Sequence, residues 1–273
     1  MTSRYRLLVA DIDGTIVTSR REVTPGVRAA VRAAQSRGVR VLLATGRIWI
    51  SAERYVRALG ADPPAILYNG GLVYDFTTGE EWHRVDLDAA HARAVLELLR
   101  ALPQVQPHVY AGDRIFTGTI NEITERYRRK DGVPVEAVGD LVGALPSRVM
   151  KILIIGERPH LERAAAAIAR LALPVRTVFS EETYLEILPA GSSKGAALQL
   201  VAARLGIPLA EVIAVGDNLN DLEMLQTAGL GVAMGNAPAA LRAAAGYVAP
   251  TNDEEGVRDV IERFIIQGRE EHA

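Results

Sequence analysis

Leu7-Leu8-Val9-Ala10-Asp11-Ile12-Asp13-Gly14-Thr15 is the stretch from which the rest of the chain can be read. Four apolar residues in a row ending in a carboxylate form the pattern of a strand buried on both faces, with a polar residue at its C-terminal end. Thr24-Pro25 then supplies a helix N-cap followed by proline at the first helical position. Val27, Ala30, Val31 and Ala34 keep helical spacing up to Gly38. Val39 to Ala44 predicts a second buried strand ending at Thr45-Gly46-Arg47, and Ala65 to Tyr68 a third, ending at Asn69-Gly70-Gly71. Strands alternating with helices at this spacing imply a parallel, helix-covered sheet.

The character changes between about Glu81 and Pro189. Helical stretches near Asp88 to Leu102 and Arg158 to Leu171 alternate with strands such as Val149 to Ile155 and Thr183 to Leu188. The strand-helix rhythm then resumes with a helix from about Ser193 to Leu205, a strand Val212 to Val215 ending at Gly216-Asp217, and a helix near Asp221 to Ala228. The expected fold class is therefore α/β, a Rossmann-like three-layer parallel sheet core with an inserted α+β domain. The expected boundaries are 1–81 and 189–273 for the core and 82–188 for the insertion.

Composition narrows the function. The 273 residues are 49% hydrophobic and 23% charged, enough apolar material for a sizeable core. With 31 Lys+Arg against 33 Asp+Glu the net charge is −2, so no global field would hold the chain on nucleic acid or an anionic bilayer. Any phosphate recognition must be local. The absence of cysteine removes disulfides, zinc thiolates and thiol nucleophiles, and suits a reducing cytoplasm. The polar, basic start from Met1 to Arg6 leads into an apolar run too short for a signal peptide, and nothing approaches a membrane span. A cytoplasmic protein without nucleic-acid or membrane partners is expected, with oligomeric state left open.

In an open parallel sheet the functional crevice lies beyond the carboxyl ends of the strands. There the sequence places Asp11 and Asp13, Thr45, Asn69, Asp217 with Asn220 and Asp221, and Lys194 just inside a helix start. A lone aspartate in such a place ordinarily caps a turn. Several acids with a lysine and a hydroxyl on one rim are harder to explain as independent caps. Packed carboxylates repel one another unless a cation neutralises them, and a small set of oxygen ligands favours Mg²⁺ over a dedicated Ca²⁺ cage. An EF-hand is excluded, because Gly stands at position 4 from Asp11 and Leu222 at position 6 from Asp217. The five histidines, 83, 91, 108, 160 and 272, show no paired metal-ligand spacing, and no P-loop or dinucleotide fingerprint is present.

Asp11-Ile12-Asp13-Gly14-Thr15 resembles the D-x-D-G-T signature of the haloacid dehalogenase-like phosphohydrolases. Thr45-Gly46-Arg47, Asn69-Gly70, Lys194-Gly195 and Gly216-Asp217-Asn218-Leu219-Asn220-Asp221 are similar to its later motifs, in the same order. The last, with Glu223-Met224-Leu225 and Gly231-Val232-Ala233-Met234-Gly235-Asn236-Ala237, is most similar to the Cof-type subfamily with a large α/β (type IIB) cap.

The resemblance implies a Mg²⁺-dependent phosphatase for small phosphorylated metabolites such as sugar phosphates. Asp11 would be the nucleophile and Asp13 the general acid and base. Thr45, Gly46, Lys194 and Asn220 would bind the phosphoryl group, with Lys194 also counted as catalytic. Mg²⁺ would be held by Asp11, the backbone carbonyl of Asp13, and Asp217. Asp221 would orient Lys194 or metal-bound water, and Asn69 would support the loop or touch substrate. The insertion would act as a lid, with Arg148, Lys151, Tyr184 and Glu186 as candidates for substrate contacts. The alternatives are a dedicated enzyme such as a phosphoglycolate phosphatase, a phosphotransferase resembling phosphomannomutase, and a phosphoacceptor module without turnover.

Overall fold

The computed structural model describes residues 3–268, so Met1, Thr2 and His272 lie outside the described residues. The chain divides into two compact units, one of Met1–Arg47, Ala52–His83 and Ser193–Ala273, the other of Ile48–Ser51 and Arg84–Ser192.

The first unit is built on a five-stranded parallel sheet. Its strands run in the order Tyr247–Val248, Leu230–Ala233, Val212–Gly216, Leu7–Ala10, Arg40–Leu43. Leu7–Ala10 lies between two neighbours and is buried at all four positions, as a continuous apolar run requires when both faces are covered. The helix Pro25–Gln35 begins where the sequence predicts. Thr24 accepts a hydrogen bond from Val27 N at 3.1 Å, and Val27, Ala30, Val31 and Ala34 are buried. The helix Lys194–Leu205 is capped in the same way by Ser193, which accepts from Ala196 N at 2.9 Å.

One strand departs from expectation. Ala65–Leu67 joins a separate three-stranded sheet with Leu72–Tyr74 and Glu81–Arg84, and meets the parallel sheet through a parallel bridge between Ala44 and Ile66, with Thr45 N–H donating to Ile66 O at 2.8 Å. Tyr68, Asn69 and Gly70 all have positive φ, so the chain reverses within three residues and Ala65–Leu67 pairs antiparallel with Leu72–Tyr74.

The second unit has a six-stranded sheet in the order Val175–Glu181, Tyr184–Pro189, Lys151–Ile155, Gln106–Ala111, Arg114–Thr117, Glu136–Ala137. Side chains alternate across it. Val109, Ile152, Ile154, Leu185 and Ile187 pack in one core with Val95 and Leu99 of the helix Ala89–Leu99 and Leu161 and Ile168 of the helix Arg158–Ala169. The opposite register carries His108, Tyr110, Lys151 and Glu186, all buried, with Thr124 and Tyr127 of the helix Glu122–Asp131 against it. No described helix is long and apolar enough to cross a membrane.

His108 is enclosed completely, with one ring nitrogen 3.1 Å from Thr124 Oγ1 and the other 3.2 Å from Gln106 O. Burial pushes its pKa down to about 4, against the smaller opposing effect of the Gln106 contact. A base held neutral when folded but ordinary when unfolded stabilises the fold above pH 6.5 and loses that contribution as pH falls toward 4. About 3 kcal/mol is at stake, at 1.36 kcal/mol per unit. Chemical unfolding measured between pH 7 and 4 should therefore show the parental chain losing stability relative to His108→Gln as pH falls.

Candidate active site

The site is assembled from strand ends of the first unit. Asp11 follows Leu7–Ala10 directly, anchored by its backbone N–H to Val215 O at 3.0 Å. The chain then turns through Gly14 at φ +72°. A Cβ there would lie 2.2 Å from Asp217 Oδ2, so only glycine lets this loop approach the Asp217 carboxylate. Thr15 Oγ1 donates to Asp217 Oδ1 at 3.1 Å and closes the loop against it.

Lys194, at the first position of its helix, has no solvent exposure. Its ammonium lies 2.9 Å from Asp11 Oδ1 and 2.6 Å from Asp221 Oδ1. The other oxygen of Asp221 accepts from the backbone N–H of Asp217 at 3.0 Å and of Asn218 at 3.1 Å. Asp221 is thus occupied on both oxygens, which suits it to orienting Lys194 rather than to binding an ion. Asn220 Nδ2 donates to Asn69 Oδ1 at 3.0 Å, which joins the loop after Leu67 to the loop after Gly216. Thr45 is buried and accepts from Arg47 N at 3.1 Å around the Gly46 turn. Gly70, at φ +96°, brings that loop so near the lysine helix that a Cβ would sit 2.1 Å from Ser193 O.

Asp13 stands apart from the buried carboxylates. Arg47 holds it with two hydrogen bonds, Nε to Oδ2 at 2.6 Å and Nη2 to Oδ1 at 2.7 Å. The guanidinium is 8% exposed and lies 5.0 Å over the Tyr55 ring. From the sequence Arg47 has no assigned role beyond its place in the Thr45-Gly46-Arg47 motif. A gap of 34 positions from Asp13 gives no periodicity from which this pairing could be read.

The cap candidates fall in the second unit. Lys151 and Glu186 pair with each other at 2.9 Å, both nearly buried. Arg148 is 63% exposed and pairs with Asp86 at 2.8 Å. Tyr184 is buried, with the Lys130 ammonium 4.3 Å over its ring.

Charge is unbalanced in the cluster. Asp11, Asp217 and Asp221 offer oxygens within 4.8 Å of one another, against the one ammonium of Lys194. Burial, then the charges of Asp221 and Asp13, raises Asp11 to about 7 despite Lys194. Asp217 is raised to about 9 by burial and by Asp11 and Asp221. Burial pulls Lys194 down, but Asp11 and Asp221 outweigh it and keep the ammonium protonated. The buried Oδ1 of Asn220 has no hydrogen-bond partner. Surplus carboxylate and an orphaned acceptor fit a hydrated, oxygen-seeking cation.

A model of the haloacid dehalogenase-like hydrolases matches residues 8–261. The chain belongs to that family. The HMP-PP phosphatase of Serratia proteamaculans is 33% identical over 85% of this chain and 85% of its own length. A haloacid dehalogenase-like hydrolase from Bacteroides thetaiotaomicron superposes with a TM-score of 0.85 at 30% identity, covering 95% of this chain and 99% of that one. A subclass IIB sugar phosphatase, at 22% identity and a TM-score of 0.81 over 95% of this chain and 98% of its own, shares the fold. This haloacid dehalogenase-like chain is of the Cof type, a phosphoric monoester hydrolase.

The raised acids fix the pH behaviour of the metal-free protein. A group whose pKa is higher when folded stabilises the fold below its unfolded value, near 3.8, and loses that contribution as pH rises through the folded value. In EDTA the melting temperature should decline between pH 5 and pH 9, and Mg²⁺ should reverse the decline at pH 9. Asp217→Asn should flatten the slope and remove the Mg²⁺ response.

Proposed function

We propose that this chain is a Mg²⁺-dependent phosphatase that hydrolyses small phosphomonoesters, sugar phosphates among them, through an aspartyl-phosphate. The observation that carries the reading is the buried Lys194 ammonium shared by Asp11 and Asp221 beside Asp217. An ammonium fixed there can neutralise a phosphoryl oxygen, while Asp11 keeps Oδ2 for attack.

In the proposed cycle Asp11 Oδ2 forms a bond to phosphorus as the ester oxygen leaves with its electron pair. Asp13 gives that oxygen a proton, then takes one from the water that attacks the aspartyl-phosphate. Phosphate departs and Asp11 is restored. Splitting the displacement replaces one difficult step with two easier ones. Arg47 is a positioning residue, since it sets where the Asp13 carboxylate stands. Thr45, the Gly46 turn, Lys194 and Asn220 bind the phosphoryl oxygens, and Asn69 holds Asn220. Asp11, the Asp13 carbonyl and Asp217 would hold the Mg²⁺, which when bound screens nucleophile from phosphate. Residues 1–81 and 189–273 are assigned the chemistry, and residues 82–188 the choice of organic group.

Release of inorganic phosphate from a panel of sugar phosphates and phosphoglycolate, with Mg²⁺, tests the reading. Asp11→Asn should abolish release, and EDTA should stop it until Mg²⁺ is restored. Stoichiometric phosphorylation of Asp11 with no phosphate released would instead mark a phosphoacceptor, and isomerised sugar phosphate a transferase.

Asp13 and Arg47 are separated from the other groups by leaving-group dependence. Asp13→Asn should lower kcat for alkyl phosphates by about 10² to 10⁴. The pre-steady-state burst of p-nitrophenol from p-nitrophenyl phosphate should be lowered much less, because that leaving group departs without a proton. Arg47→Ala should show the same substrate dependence to a lesser degree. A loss in the p-nitrophenol burst as large as the loss on alkyl phosphates would remove Asp13 from leaving-group protonation.

A further inference from the structure

A cavity of about 490 Å³ lies within the second unit, and all of its lining residues belong to that unit. Small-molecule sites commonly range from about 300 to 1,000 Å³. None of the carboxylates of the candidate active site, nor Lys194, lines it.

Part of the wall is one stripe of the helix Glu122–Asp131, with Ile123, Arg126 and Tyr127 at i, i+3 and i+4. Ile155, at the end of its strand, and Tyr184, at the start of the next, supply apolar surface beside it. The Tyr127 and Tyr184 rings meet at 80° with centroids 6.0 Å apart and both line the cavity, so the wall at this corner is aromatic. The phenol of Tyr127 is hydrogen-bonded to that of Tyr110, so the ring is held in place.

The charges lining this cavity are unequal in availability. Lys130 is engaged with Glu181 and with the Tyr184 ring. Arg126 is 66% exposed and has only a loose 3.5 Å contact with the 81% exposed Glu122, an i,i+4 surface pair of small energetic weight. Its planar fork can leave that partner for a carboxylate or phosphate oxygen pair. Glu157 also lines the cavity, so with Lys130 engaged the lining offers a partner for one anionic group, at Arg126.

We propose that this cavity binds a small planar aromatic molecule carrying a single anionic group. The ring lies in the Tyr127–Tyr184 corner against Ile123 and Ile155, and the anion sits on Arg126. The organic part of a phosphomonoester and a separate ligand share this chemistry. Binding itself does not rest on the phosphatase reading; only the choice between these two sources does.

Calorimetric titration of the full chain with 1-naphthoate, a planar aromatic monoanion, tests the site. One saturable site is expected. Arg126→Glu should weaken it about tenfold or more, the scale of a charge-assisted hydrogen bond. Ile123→Trp, which fills the cavity from a half-buried helix position, should remove it, and cyclohexanecarboxylate should bind more weakly than naphthoate. No saturable heat, or parental affinity in both variants, each with a parental melting curve, overturns the proposal. Turnover of p-nitrophenyl phosphate with Mg²⁺ then separates the sources. A rise in KM at constant kcat that Ile123→Trp abolishes identifies the seat of the substrate's organic group. Unchanged kinetics under saturating naphthoate identify a separate ligand. Naphthoate binding without any turnover leaves the site standing and defeats the phosphatase reading alone.

Discussion

An ammonium with no access to water is tolerated only where its charge is answered on every side, and Lys194 imposes that condition on the first unit. Burying an ion costs several kcal/mol, recovered only through close partners that are themselves satisfied. Asp11 and Asp221 meet the lysine, and two backbone amides meet the far side of Asp221. Three stretches distant in sequence are thereby fixed to one point: the end of the first strand, the start of the Lys194–Leu205 helix and the turn after Gly216. Removing Asp221 would leave the Lys194 ammonium with Asp11 as its carboxylate partner and the backbone amides of Asp217 and Asn218 without their acceptor.

Close backbone approach is the second condition. Gly14 and Gly70 each occupy a left-handed conformation and face another chain segment at a distance that excludes a Cβ. Gly14 admits the Asp217 carboxylate, and Gly70 admits the backbone of Ser193. The glycines of the two motifs are therefore contact residues whose absent side chains set how tightly the strand-end loops converge.

Much of this was legible in the sequence, for physical reasons that can be named. Leu7–Ala10 is an uninterrupted apolar run, and such runs end where the sheet ends, so Asp11 could be assigned to the rim. Thr24-Pro25 and Ser193 marked helix starts through side-chain capping, which is local in sequence. What escaped was non-local or depended on backbone conformation. Ala65–Leu67 has the composition of a core strand, and its diversion into another sheet is decided by three positive-φ residues after it. Arg47 looks like any arginine in a turn until folding brings Asp13 to it. Likewise the pairing of Lys151 with Glu186 arises across neighbouring antiparallel strands, a register that composition does not specify.

The Arg47 clamp also bears on the order of events in the proposed cycle. A carboxylate that accepts from a guanidinium on both oxygens has no oxygen free to carry a proton without giving up one of those bonds. Asp13 as it stands is thus arranged as a base. To act first as an acid it must free one oxygen and carry a proton there, and the arginine must find another anion or share one. Arg47 is stacked on Tyr55 and buried, so it has little freedom to swing into water. The group best able to take its second hydrogen bond is an incoming substrate oxygen, which would release Asp13 only when there is an ester to cleave. In the proposed cycle, proton donation by Asp13 is then conditional on substrate.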